Sequence, residues 1–494
     1  MIMTRFSANQ ILTTGSLWVA LAVALSLMAL SPALAKGDIK LHASNRYFQD
    51  ASGKPIFLLG AYGWASVAPD YYNNGPQKYA DMVTKGAPNG INYLRLSLGI
   101  NRFSVEGGDP KWSQSYDGKP TPVPFKYVNG KADLDQWDPL FWDGLRYHCE
   151  LAKKNNFIIH ICLFDGVDYR PGDSSWRWPN SFWNVKNQVR DFYGDLDITK
   201  SGHADRDKHF YRVKDFVNNT GVGYYQRKLI DKAIAETAKC DNIFFEIGNE
   251  LLGSKEDWNA ELTAYIASRT NKAITQSGGK TPWNTMGFTE HNPNTPADVK
   301  KELAEFVGKG CPYWLDPDGS QLMRGGPDAC RQAIWYSLTG GAAGWGGFGA
   351  ASSGRRGPRP SGTTTTGQVL VTSSYSSRRT DTSSDTAKYY KLFSTFMEQA
   401  KPKFWEMVPY HELVSNSAVN SCIAKLGTEY VVYVLSDETA TLDLNALKGQ
   451  AKCRLYDTKT GLWSGARTVS AGSQTFTKPA GAEDWAIHVV NVSE

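Results

Sequence analysis

The stretch Asn242-Ile243-Phe244-Phe245-Glu246-Ile247-Gly248-Asn249-Glu250 decides how the rest of this chain is read. An apolar run stops abruptly at a glycine, an amide and a carboxylate. Its length, its aromatics and the flanking Cys240-Asp241 and Leu251-Leu252-Gly253 favour a buried parallel strand. A carboxylate at the C-terminal tip of such a strand stands where barrel enzymes keep their catalytic groups. Glu250 is therefore the residue against which the remaining sequence is weighed.

Upstream, strand and helix patterns alternate at regular spacing. Residues 40–61 predict a strand, a turn over Asp50-Ala51-Ser52-Gly53-Lys54-Pro55, and a first buried strand, Ile56-Phe57-Leu58-Leu59-Gly60-Ala61, with Trp64 at its mouth. A helical pattern near 77–84 precedes a second strand over 90–96, which carries Arg95. A helix with Leu134, Trp137, Phe141 and Leu145 on one face leads to a third strand over 157–164, ending at Asp165. The long loop over 166–219 holds Trp176, Trp178, Phe182 and Trp183, and loops of that length in compact domains are usually functional. Another helix, around Tyr225, Leu229 and Ala233, runs into the quoted strand.

Downstream the pattern continues with a helix over 257–275, a strand over 283–289 ending in Glu290-His291, and a helix over 297–307. Next come Tyr313-Trp314-Leu315-Asp316-Pro317-Asp318, a helix over 329–338, and a glycine-rich run containing Trp345. Fewer than eight clear strands are legible. The alternation still predicts an α/β fold, a (β/α)8 TIM-type barrel over about 36–410. Residues 350–385, rich in Ser, Thr, Gly and Arg, are too polar to bury and are expected to form a mobile excursion from it. A helix over 387–400 closes this part. From 411 to 494 short alternating segments, 429–435, 441–444, 451–456, 468–476 and 485–490, predict a small antiparallel β-sandwich.

The first 35 residues are read as an address. Arg5, an apolar run from Leu17 to Leu30, and Ala33-Leu34-Ala35 before Lys36 form a signal-peptide pattern, so a secreted or periplasmic protein is expected. The run is short for a membrane span. Seven cysteines in an oxidising compartment leave at least one unpaired, with Cys422 and Cys453 placed to close a modest loop. A net charge of +5 over 494 residues does not indicate nucleic-acid binding. The 16 tryptophans exceed what one core needs, and exposed ones would suit stacking on sugar faces, although packing in a large core accounts for most of them and is the better reading of any single one. On that ground Trp64, Trp178, Trp183 and Trp345 are the candidate platforms.

Breaking a glycosidic bond takes two carboxyl groups: one protonates the leaving oxygen, and the other attacks or activates water from the opposite face. A strand-tip Glu250 packed among aromatics holds its proton toward neutrality and suits the first role. Asn249 beside it would bond a sugar hydroxyl. Asp316 and Asp318 follow an apolar run and are candidates for the second role, although Asp-Pro-Asp-Gly is equally good turn chemistry. Glu290, beside His291, is the rival. Arg95 would keep an anionic nucleophile ionised, or form a buried structural pair. His160 is as readily a satisfied core histidine as a ligand contact. This chemistry requires no cofactor or metal.

These residues also carry a resemblance. The runs 90–95 and Ile247-Gly248-Asn249-Glu250 resemble the second- and fourth-strand motifs of retaining (β/α)8-barrel glycoside hydrolases. More narrowly, residues 50–60, 176–187 and 329–344 and Phe404-Trp405-Glu406-Met407-Val408-Pro409 resemble the apiosidase-like barrel hydrolases. Tyr456-Asp457-Thr458-Lys459-Thr460-Gly461 and Glu483-Asp484-Trp485 are similar to signatures of the collagen-binding-type β-sandwich those enzymes carry. The resemblance implies a second carboxylate in the strand before the Arg-containing helix, which falls on Asp318, with Asp316 two residues earlier. The family has Glu there, and Asp is shorter by one methylene, which leaves retention and inversion open. A carboxyl separation of about 5–5.5 Å would imply retention, and about 6.5–9.5 Å inversion. The alternatives are a carbohydrate-binding protein on a barrel that lost catalysis, and a surface adhesion protein working through its sandwich.

Overall fold

The computed structural model describes residues 39–60, 65–66, 80, 83–98, 123–166, 178, 181–190, 210–249, 251, 256–275, 295–315, 326–346 and 385–491. The leader expected over 1–35, the strand expected over 283–289 and all but the last residue of the excursion expected over 350–385 lie outside the described residues.

Parallel strands form the first part. The strands Ile274–Thr275, Ile243–Asn249, Ile158–Asp165, Tyr93–Ser97 and Ala65–Ser66 pair side by side in that order, all parallel. A second parallel set runs Trp314–Leu315, Gly344–Trp345, Leu58–Leu59. A parallel bridge from Gly60 to Tyr93 joins the two sets. Across that bridge, successive strands along the chain are neighbours in space, the order a wound parallel barrel requires. Asn92 reinforces the joint: its side chain accepts from the Leu59 amide at 2.8 Å and donates to the Phe57 carbonyl at 3.0 Å, doing for this edge what a backbone would.

Both faces of these strands are covered, so their sequences are almost continuously apolar rather than alternating. All eight residues of Ile158–Asp165 and all seven of Ile243–Asn249 are buried. Phe244 stacks on Phe48 at 5.0 Å and meets Trp314 edge-on at 6.0 Å, and Trp314 also meets Tyr93 at 6.0 Å. These aromatics fill the space between strands far apart in the sequence. Gly344 is where the sheet leaves no room: a Cβ there would lie 2.2 Å from the Leu58 carbonyl oxygen.

Several expected boundaries move. Leu134 and Trp137 belong to a strand, Lys131–Trp137, paired antiparallel with Phe125–Val128; the helix begins afterwards, at Pro139, with Asp138 capping the Leu140 amide. The apolar residues recur at a spacing that suits either element, and Asp138-Pro139, an N-cap followed by a proline, is the true start signal. The helix expected over 257–275 is Glu256–Arg269, and its last residues form the short strand Ile274–Thr275 instead. All seven cysteines are free and buried, so Cys422 and Cys453 close no loop.

The last part is antiparallel: a six-stranded sheet in the order 408–409, 421–425, 429–434, 485–491, 451–457, 467–469, and a two-stranded sheet of 439–443 with 473–477. The strand Glu429–Val434 is buried throughout. Its Tyr430, Val432 and Val434 face a core shared with Leu442, Phe476 and Trp485, while Val431 and Tyr433 join the large core of the preceding part, beside Trp335 and Phe396. Residues 36–494 form one compact unit. Among the described residues no helix is long and apolar enough to cross a membrane.

Candidate active site

Three neighbouring strands bring five polar side chains to one place. Arg95 lies on Tyr93–Ser97, His160 and Asp165 on Ile158–Asp165, and Glu246 and Asn249 on Ile243–Asn249. Register puts Arg95, His160 and, two residues past Phe244, Glu246 on one face, while Asn249 and Asp165 pair with each other at the strand ends and join that group through the Arg95–Asn249 hydrogen bond. In parallel strands, partners in register put their side chains on the same face.

Arg95 and Glu246 form a two-point ion pair. Nε donates to Oε2 at 2.7 Å and Nη2 to Oε1 at 2.5 Å, with the two side chains 3% and 0% exposed. Burying two charges costs several kcal/mol each, so such a pair holds only with good geometry, and removing one partner typically costs about 3–5 kcal/mol. Nη2 of Arg95 also donates to Asn249 Oδ1 at 2.9 Å, and Asn249 Nδ2 donates to Asp165 Oδ1 at 2.9 Å. The network thus climbs from mid-strand to the strand ends, and the next residue in the chain is Glu250. Beneath it, His160 sits between Tyr93 and Thr275. Burial, and after it the Arg95 charge, hold His160 well below the usual histidine range. Burial, and after it the Glu246 charge, push the Cys162 thiol well up, so Cys162 is not a thiolate nucleophile.

Of the residues singled out from sequence, the structure unites Arg95 and Asn249 by a direct hydrogen bond and adds Glu246 as the ion-pair partner of Arg95. Arg95 is in the buried pair, with Glu246 as its partner. Asn249 is engaged at both ends of its amide, Oδ1 with Arg95 and Nδ2 with Asp165. Trp178, Trp183 and Trp345 are 3%, 0% and 2% exposed, which removes them as open stacking platforms. Trp183 shows why: its ring packs against Phe125, Phe182 and Phe210 with centroids 5.2–5.9 Å away. Aromatic burial won over display. Glu250, Asp316, Asp318, Trp64, Glu290 and His291 lie outside the described residues.

Sequence reasoning missed Glu246, Asp165 and Thr275. The signal for Glu246 was present. A charged residue inside an otherwise apolar, doubly covered strand must find an opposite charge, and Arg95 stands in the same situation two strands away. Thr275 is hidden in the sequence because the helical pattern from 257 runs on through its two-residue strand.

No protein-family model and no curated protein matches the chain in sequence. Solved structures do match it in shape. A protein described as a glycoside hydrolase superposes with a TM-score of 0.62 at 14% identity, covering 93% of this chain and 98% of its own. A glycoside hydrolase family 5 protein from Bacteroides vulgatus gives 0.62 at 14% identity, over 93% and 94%. A maltogenic alpha-amylase from Thermotoga neapolitana gives 0.52 at 12% identity, over 88% and 99%. This chain has the fold of those proteins. Identities this low show shape and leave the chemistry to the site.

Proposed function

We propose that this protein is an exported glycoside hydrolase whose parallel strands close into a (β/α)8 barrel, and that Glu250 is its general acid/base. The carrying observation is the Arg95–Glu246–Asn249–Asp165 network, which runs from the middle of the parallel strands to the C-terminal ends of two of them. A barrel of this kind does its chemistry at that end. Charged groups in a dry interior are costly, and here they are arranged to fix the strand tip from which Glu250 follows. The similarity in shape to glycoside hydrolases supports the same reading. Asp318 or Asp316 is the proposed nucleophile or base, the substrate is a poly- or oligosaccharide, and the apiosidase-like group is the proposed kinship. Residues 1–35 are the proposed export signal, and 411–494 a β-sandwich appended to the barrel.

The test is hydrolysis of a panel of aryl glycosides and plant and microbial polysaccharides by the parent protein and Glu250→Gln. Loss of a general acid/base costs about 10²–10⁴-fold in turnover, and the variant should keep its affinity for the sugar. A parent protein that binds a glycan from the panel yet cleaves none would replace the hydrolase with a carbohydrate-binding protein on the same scaffold.

A further inference from the structure

Behind Glu246, Tyr93, His160 and Thr275 form a hydrogen-bonded row for which one assignment of protons satisfies every contact. His160 Nε2 is 2.5 Å from Thr275 Oγ1, and Nδ1 is 2.8 Å from the Tyr93 hydroxyl. Thr275 Oγ1 donates its own proton to the Phe245 carbonyl at 3.3 Å. With that proton on the carbonyl, Oγ1 accepts from His160 and the ring proton is assigned to Nε2. Nδ1 then has a lone pair to offer and accepts from Tyr93. Each proton has a place, and the imidazole is neutral.

The ring's surroundings hold it there. It packs on Phe244 with centroids 4.4 Å apart and on Trp314 at 5.7 Å, in a fully buried seat. The charged and titratable groups facing it are Arg95 from one neighbouring strand, Glu246 from the other, Tyr93, and Cys162 on its own strand. Glu246 Oε2 lies 3.6 Å from Nε2 and would draw a proton to the ring; the Arg95 charge and the dry seat oppose it. A protonated ring would need Nδ1 to donate, turning the Tyr93 hydroxyl around. It would also compete with Arg95 for Glu246 Oε2, the oxygen that Arg95 Nε holds at 2.7 Å.

We propose that the Tyr93–His160–Thr275 relay is a positioning device, in which a neutral imidazole backs Glu246 so that Arg95 stays centred between Glu246 and Asn249. His160 touches no substrate in this scheme. It acts through Glu246 and Arg95 on the strand tip, and this role rests on the hydrolase reading above. Removing the Thr275 acceptor leaves the Nε2 proton to turn to Glu246 Oε2, which makes the ring ionisable and pulls the pair off centre.

Two measurements on the full chain test this, one of them independent of turnover. In 15N-histidine NMR the signal lost in His160→Gln identifies His160 in the parent. It should show the Nε2–H tautomer without titrating between pH 8 and 5. A proton on Nδ1, or titration near the ordinary histidine value, overturns the relay. In Thr275→Val the same signal should begin to titrate inside that window. On whichever aryl glycoside the parent cleaves, Thr275→Val should lower kcat about 10-fold with KM within about 2-fold, and move the acidic limb of the pH profile up by about 1 unit. Thr275→Ser should restore all three. An unchanged pH profile in Thr275→Val overturns the positioning role. Tyr93→Phe, which keeps the ring and removes only the Nδ1 partner, repeats the test should Thr275→Val not fold. If the parent cleaves nothing, the hydrolase reading and the positioning role fail together, while the NMR still decides whether the relay exists.

Discussion

Among the described residues two buried arginine–carboxylate pairs stand out, and they do different work. Arg95–Glu246 lies between parallel strands; Arg331–Asp484 joins the Gly326–Thr339 helix to the turn before the last strand of the antiparallel sheet. Both arginines are nearly inaccessible. Arg331 Nε donates to both Asp484 oxygens at 3.0 and 3.1 Å, and the Tyr433 hydroxyl donates to Asp484 at 2.5 Å. Its guanidinium lies 4.5 Å from the Tyr389 ring centroid, and a second contact ties it to Asp328. The groups around Arg331 come from both sides of a junction and seal it. Around Arg95 the next contacts run along the strands toward their ends. One pair fastens two parts of the chain, and the other aims a strand tip.

The sharpest way to break the comparison is to replace each arginine with Met. Arg95→Met should lower turnover about 100-fold in protein that still folds, since a misplacement of about 1 Å at a reacting group costs that much. Arg331→Met should leave turnover per folded molecule unchanged and reduce the unfolding free energy by about 3–5 kcal/mol in urea titrations, because Asp484 is left buried without its cation. Equal losses of turnover in both variants would erase the distinction. Replacing both partners, Arg331→Met with Asp484→Leu, should recover most of that stability, as buried pairs often give way to apolar ones at little net cost.

Acid probes the junction from another side. His411 accepts from the Cys422 amide at 3.2 Å, and burial together with the nearby Lys300 charge brings its pKa down to about 4. An unfolded chain takes up that proton near pH 6.5, so between about 6.5 and 4 the unfolded state binds more protons and stability falls as pH falls. The loss from this group is at most about 3 kcal/mol. His411→Asn should flatten the slope of unfolding free energy against pH in that window. The smallest effect concerns thiols. The contact with Cys149, then Lys272 and Lys153, holds Cys240 below the usual range, while burial pushes Cys453 up to about 11 and Cys422 higher still. Native alkylation followed by mass spectrometry should label Cys240 before either.

The sequence made the parallel strands legible because burial on both faces leaves an unbroken apolar run, and that signal survives without any neighbour. It made Glu250 conspicuous for the same reason: the run ends there. Arg95 and Glu246 show the limit. Each is a lone charge in a strand, and only the register of strands some 150 residues apart reveals that they meet. Trp183 shows another. Composition says that a tryptophan is present, but only packing says whether its ring faces solvent or Phe125, Phe182 and Phe210. The hairpin over 125–137 went unseen because its apolar spacing fits a helix until Asp138-Pro139 is taken as the start.

One feature of the C-terminal sheet reaches further than its own fold. Because Glu429–Val434 gives alternate side chains to two cores, severing the chain near residue 411 would strip Trp335 and Phe396 of their cover. A truncated fragment should clump and refold poorly, while the intact chain should melt in a single calorimetric endotherm. The tail is a wall of the house, and an assay that deletes it would measure collapse where it meant to measure recognition.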